Sequence, residues 1–226
     1  MDSSPVYTSF DDQAAQSPPP GCLSRLIPQF SILLVGIMLY LGFSQVKIGQ
    51  AVGASPTGTS SPLPQEGIAP LFTPEVQLWE EKILAWSEKY KLDPNLVATV
   101  MQIESCGYIR AESSAGARGL FQVMPYHFLD GEDPFHPGTN AKRGLKYLRM
   151  AQEAGETTKL TFAGYNGGIT GAQQPREKWN DEMVRYVYWG YQIYQDAKAE
   201  LDHSPRLEEW LHSGGAYLCG LARNNN

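Results

Sequence analysis

Cysteine is scarce in this chain, with three in 226 residues. So few thiols exclude a small scaffold built on disulfides. Excess positive charge is also missing. Eighteen Lys and Arg against 24 Asp and Glu leave a net charge of -6, which gives nucleic acid no electrostatic footprint. Histidine is rare, and His127, His136, His203 and His212 do not stand at metal-site spacing, so neither a metal nor a cofactor is expected. No internal repeat is visible. No convincing strand pair is visible either, apart from short extended pieces around Arg118 to Val123. Aromatics are not lacking. Twelve Tyr and five Trp suffice for a packed core or for a sugar-binding cleft, and do not choose between them. The length allows one domain of moderate size plus extensions.

One long apolar run is present. Leu26 to Val46 carries 21 residues without a charge, between Arg25 and Lys47, with "FSILLVGIMLYLGF" at its densest. A helix of about 20 apolar residues spans a bilayer. An uncleaved signal anchor and a cleaved secretory peptide compete for it. Small residues near Val52 and Ala54 suit cleavage, but the long leading segment with Asp2, Asp11 and Asp12 favours the anchor. Arg25 and Lys47 balance, so charge sets no orientation. Cys22 is not a lipoprotein cysteine, since no apolar segment precedes it. Residues 1–25 are expected as a disordered tail and 26–46 as the transmembrane anchor. Residues 47–74, rich in Pro, Ser, Gly and Thr, are expected as a tether with no core of its own, and 75–226 as the globular domain.

That domain reads as mainly α. Val76, Trp79, Ile83, Trp86 and Tyr90 share one helical face. "LDPNLVATVMQIE" is a second helix, with Asp93 as N-cap and Pro94 at its first position. Its stripe of Leu96, Val97, Val100 and Met101 runs on into Glu104. Further helices are expected over "TNAKRGLKYLRMA" with Thr139 as a cap, over "LTFAGYN", and from about Trp179 to Leu201.

Glu104 is the anomaly, an acid pointing where apolar residues point. Desolvation favours its neutral form, and a neutral glutamic acid can donate a proton to a leaving oxygen. Just after it comes "SSAGARGLFQVMP", 113–125, with hydroxyl, amide and glycine positions suited to sugar hydroxyls, and with Phe121 and Met124 as surfaces for a sugar ring. "FAGYNGG" adds Tyr165 and Asn166, and a long helix carries Tyr186. In an oxidising compartment Cys106 and Cys219 can pair and tie the C-terminal tail beside Glu104; two separate thiols are the alternative.

Together these pieces resemble the soluble-lytic-transglycosylase catalytic domain, whose fold is similar to goose-type lysozyme. The likeness runs from about Leu78 to Tyr194, through "ES" at 104–105, 113–125, "NAKRGLKYL" at 140–148, "GYNGG" at 164–168, and Glu182 with Tyr186 and Val187. It implies a lysozyme-like single catalytic domain acting on peptidoglycan, between N-acetylmuramic acid and N-acetylglucosamine. By the same resemblance Glu104 is the single catalytic acid/base. Ser113 orients the muramyl group, Gln122, Met124, Tyr165 and Asn166 line the cleft, and Tyr186 stands near the carboxyl. The chain departs from the pattern at Gly164, where Ala is frequent, and at Met183, where Thr is frequent.

The implied reaction is non-hydrolytic and leaves 1,6-anhydro-muramyl ends, which makes the enzyme a lyase. The implied partners are glycan strands and, through the N-terminal helix, the cytoplasmic membrane. The implied place is the bacterial cell envelope, with the domain outside the cytoplasm. No protein partner is indicated. A hydrolytic muramidase on the same fold, and an inactive peptidoglycan-binding scaffold, stay open.

Overall fold

The structure, a computed structural model, describes residues 67–225. The expected tail, the anchor at 26–46 and most of the tether lie outside the described residues. Among the described residues no helix is long and apolar enough to cross a membrane.

The described chain is helical. In order come α1 (Pro74–Gln77), α2 (Glu80–Tyr90), α3 (Pro94–Ser105), α4 (Pro137–Ala154), α5 (Thr158–Gly167), α6 (Ile169–Ala172), α7 (Asp181–Lys198), α8 (Pro205–Trp210) and α9 (Ala216–Asn225). A π-turn, Leu211–Gly215, joins the last two. Pairing of extended backbone is limited, among the described residues, to isolated bridges of Arg118 with Glu112 and with Val123.

The organising element is α3. Asp93 caps it by accepting from Asn95 N at 2.8 Å, and Pro94 starts it. It ends at Cys106, which takes the left-handed conformation at φ 50°. Every residue from Asn95 to Ser105 is buried. An apolar stripe predicts one buried face, yet here the polar face is covered as well. Part of that cover is the stretch assigned by composition to the tether. Ile68, Ala69, Leu71 and Phe72 are buried in the core. Ala69 N donates to Asn95 Oδ1 at 2.8 Å and Thr73 N to Gln102 Oε1 at 3.1 Å. The folded unit therefore reaches back to Ile68, because Ile68, Leu71 and Phe72, each worth about 1.5–3 kcal/mol when buried, outweigh the local Pro and Gly content.

The face through Val76, Trp79, Ile83, Trp86 and Tyr90 is divided between α1 and α2, with a break at Leu78 and Trp79. The cap of α4 is His136 rather than Thr139. Its Nδ1 accepts from Thr139 N at 3.3 Å, one turn earlier than expected. Helix α5 packs against α4 and α7, and α7 against α3. Cys106 and Cys219 are joined by a disulfide across 113 residues, which ties α9 to the end of α3.

Candidate active site

Between α3 and α4 the chain crosses the molecule as a strap, 107–124, held by side chains from three helices. Ser105 Oγ on α3 donates to Leu120 O at 2.7 Å. Asn140 on α4, fully buried, accepts from Phe121 N at 2.8 Å and donates to Arg118 O at 2.6 Å and Pro134 O at 2.9 Å. Tyr165 on α5 donates to Phe121 O at 2.8 Å. Gly119, at φ 75°, is required here, because a Cβ would run into the Asn140 side chain.

Glu104 stands in the last turn of α3 beside this strap and is 5% exposed. Its Oε1 is buried without a hydrogen-bond partner. Tyr186 on α7 is buried next to it. The hydroxyl is close enough to favour the ionised carboxyl, yet the approach lacks regular hydrogen-bond geometry, and the Tyr186 oxygen is also left without a partner. Burial dominates and pushes the Glu104 carboxyl up to about 8; the Tyr186 hydroxyl pulls the other way, and the Glu182 charge adds to the rise. Burial raises the Tyr165 and Tyr186 phenols well above their ordinary value, and Glu104 raises both further. The acid is therefore neutral at neutral pH and surrounded by neutral phenols. A carboxyl in that state has a proton it can give.

The structure brings together Glu104, Tyr165 and Tyr186, with the two tyrosine rings 6.5 Å apart and stacked. Asn166 joins through Glu182, donating from Nδ2 to Oε1 at 3.4 Å. Ser113 lies on the strap, half-buried, where its hydroxyl accepts from Ala117 N at 3.0 Å. Met124 closes the strap at 9% exposure. Three residues read as cleft surface turn inward. Phe121 is fully buried, edge-on to Trp86 at 5.9 Å. The Gln122 amide donates to Ala111 O and Gly119 O, both at 3.1 Å. Tyr165 is fully buried on its bond to Phe121. From Tyr165 an aromatic row continues through Tyr147 (6.1 Å) and His127 (5.5 Å) to Tyr126 (4.5 Å), which is 54% exposed.

Sequence reasoning gave no role to Glu182 or Asn140. Glu182 stands four residues before Tyr186, on the same helix face, which was a usable signal. Asn140, an amide in the first turn of an apolar-striped helix, was a weaker one. Two other acids of this region are tied to cations: Glu132 is held by Arg143 at 2.7 Å and pushed down to about 2, first by that contact. Glu112 pairs with Arg118 at 3.0 Å.

Residues 81–183 match the Transglycosylase SLT domain. A transglycosylase of Enterobacteria phage PRD1 is 38% identical over 96 residues, covering 42% of this chain and 36% of that one. Membrane-bound lytic murein transglycosylase E of Buchnera aphidicola is 27% identical over 136 residues, covering 54% and 58%. The chain thus spans well under two thirds of either relative. A crystal structure of lytic transglycosylase Slt from Pseudomonas aeruginosa, an inactive mutant, aligns with TM-score 0.43 and 21% identity over 56% of this chain and 25% of that one. The matched region carries Glu104, the strap, Asn140, Tyr165, Asn166 and Glu182, and residues 81–183 of this chain belong to the Transglycosylase SLT domain family.

Proposed function

We propose that the chain is a peptidoglycan lytic transglycosylase, with Glu104 as its acid and then its base. One observation carries this reading: a carboxyl 5% exposed, one oxygen unpartnered, neutral at neutral pH, in a domain of this family. Glu104 gives its proton to the oxygen between N-acetylmuramic acid and N-acetylglucosamine. The muramyl N-acetyl carbonyl attacks the anomeric carbon as that bond breaks. The carboxylate left behind then removes the proton of the muramyl 6-hydroxyl, whose oxygen closes the 1,6-anhydro ring and releases the N-acetyl group. No water is consumed, and Glu104 ends protonated as it began.

Ser113, Met124, Asn166 and Tyr186 supply the polar and apolar wall around the acid. Gln122 and Tyr165 act from behind that wall by holding the strap. The apolar run at 26–46 anchors the chain in the cytoplasmic membrane in this reading, and the substrate's location puts the domain outside the cytoplasm.

A second reading has its own observation. Glu182 acts on Glu104 through its charge, and two carboxylates on one site suit hydrolysis, one as acid and one as base or nucleophile. Mass spectrometry of muropeptides released from purified sacculi by the full chain separates the two. Products one water lighter than reducing ends are expected. Reducing ends alone establish the muramidase, and no release at all establishes a binding scaffold.

A further inference from the structure

On the opposite side of the last turn of α3 lies a buried polar cluster that this reaction does not use. Cys106, Cys219 and Glu75 are 0%, 3% and 4% exposed. One ligand atom from each lies within 4.8 Å of the others. The sulfurs sit among polar groups. Gln102 Nε2 donates to Cys106 Sγ at 3.1 Å and reaches Cys219 Sγ at 3.7 Å, and the Thr73 hydroxyl is 3.2 Å from Cys106 Sγ. Glu75 Oε1 takes two bonds from Arg223, from Nε at 2.8 Å and Nη2 at 2.6 Å. Glu75 Oε2 is buried with no hydrogen-bond partner. A buried acceptor left unsatisfied is destabilising, and a disulfide has no proton or charge to offer it.

We propose that, in the thiol form of the chain, Cys106, Cys219 and Glu75 hold a zinc-class divalent cation, and that the disulfide takes the place of that ion on oxidation. Two thiolates with one carboxylate suit zinc among the divalent ions. The charges also close. Two thiolates and a carboxylate carry three negative charges, Arg223 returns one, and the ion returns two. The fourth tetrahedral position falls to the Thr73 hydroxyl or to water. In the conversion a thiol reductant gives two electrons and two protons to the S–S bond, yielding two thiols and its own disulfide. The ion then displaces the two thiol protons to solvent; in the reverse direction a small disulfide takes two electrons from the two thiolates and, with two protons from solvent, leaves as two thiols while the ion is released. Either closure fixes Cys106, two residues from Glu104, so α9 stays docked in both states. Sequence spacing hides this site, because its ligands lie at positions 75, 106 and 219.

The test uses the full chain with Cys22→Ser, purified in detergent, reduced and kept anaerobic. It is titrated with Co2+ and then Zn2+. Expected are one cobalt per chain, a thiolate-to-cobalt charge-transfer band, tetrahedral d–d absorption, and loss of both when zinc enters. The oxidised chain shows neither band. Glu75→Gln re-forms the disulfide on oxidation, which reports an intact seam. Reduced, it binds zinc roughly tenfold or more weakly, since even outer partners of metal ligands are worth about 10–100-fold. A reduced chain without the charge-transfer band overturns the proposal. So does a Glu75→Gln chain that binds zinc as tightly as its parent.

Discussion

Two buried glutamates lie on opposite sides of the end of α3, and their surroundings differ in charge. Glu104 is 5% exposed and Glu75 is 4% exposed, and each has one oxygen without a partner. Glu75 has Arg223 on its other oxygen, joining α1 to α9 beside the disulfide. Glu104 has phenols on the cleft side and a second carboxylate within electrostatic reach. Burial alone therefore does not make an acid catalytic. A cation turns a buried carboxylate into a clamp. Neutral or negative neighbours turn it into a proton donor.

The largest expected effect falls on the cleft side. Glu104→Gln removes the proton and keeps the shape, so cleavage of sacculi should fall by about 10³-fold, within the usual range for a general acid. Stability should move the other way. The folded carboxyl, at about 8, holds its proton while the unfolded one, near its ordinary 4.5, loses it. Glu104 thus destabilises the fold progressively as pH rises from about 4.5 to 8, by up to a few kcal/mol, and no further above that. The variant should lack this slope and denature at equal or higher urea at pH 8. Wild-type turnover by Glu104→Gln would sink the assignment of the acid.

The seam side should answer in stability. Reducing the disulfide with a chelator present should lower unfolding free energy by about 2–5 kcal/mol, the usual range for a native bridge, since it closes 113 residues. Denaturation curves with and without reductant measure it. If the seam were idle packing, the two curves would superimpose.

The strap gives a third test, through Asn140. Asn140→Ala leaves the buried Phe121 N–H unpaired and takes one donor from each of the Arg118 and Pro134 carbonyls, the former keeping its bond from Val123 N. A loss of about 1–3 kcal/mol is expected. KM for glycan strands should rise more than kcat falls, because Ser113 shifts while Glu104 stays on its helix. A fall in kcat alone would place Asn140 nearer the chemistry.

These particulars show what was legible in the sequence. The cap at Asp93 and Pro94, the stripe into Glu104 and the helical class are local, so spacing exposes them. The burial of α3 on all sides is not local. It depends on Ala69 reaching Asn95 and Thr73 reaching Gln102, contacts that composition disguised as tether. Residue type also misled. Gln122 and Tyr165 look like sugar ligands because amides and phenols bind sugars, yet here their polar atoms hold backbone carbonyls of the strap. Whether a polar side chain faces a ligand or a neighbouring carbonyl depends on tertiary placement, which periodicity does not carry. Glu182 shows the same limit, since its influence on Glu104 requires α7 to pack on α3.

Glu182→Gln is the smallest change and the one that sharpens the comparison most. If the charge of Glu182 serves to hold Glu104 protonated, its removal leaves burial, the larger cause, in place. The Glu104 carboxyl should then titrate lower, and the alkaline limb of the pH–rate profile should shift down with it. At pH 6 the acid stays protonated in both proteins, so rates there should agree within a few-fold. At pH 8 the variant should be slower, because more of its Glu104 is ionised and unable to donate. Its products should still carry anhydro ends. A hydrolytic enzyme that uses Glu182 as base or nucleophile behaves differently: the rate falls by more than about 10²-fold at every pH, and no shift of the limb rescues it. Rate profiles on sacculi at pH 6 and pH 8, read with product mass, therefore decide whether the second carboxylate tunes the first or works beside it.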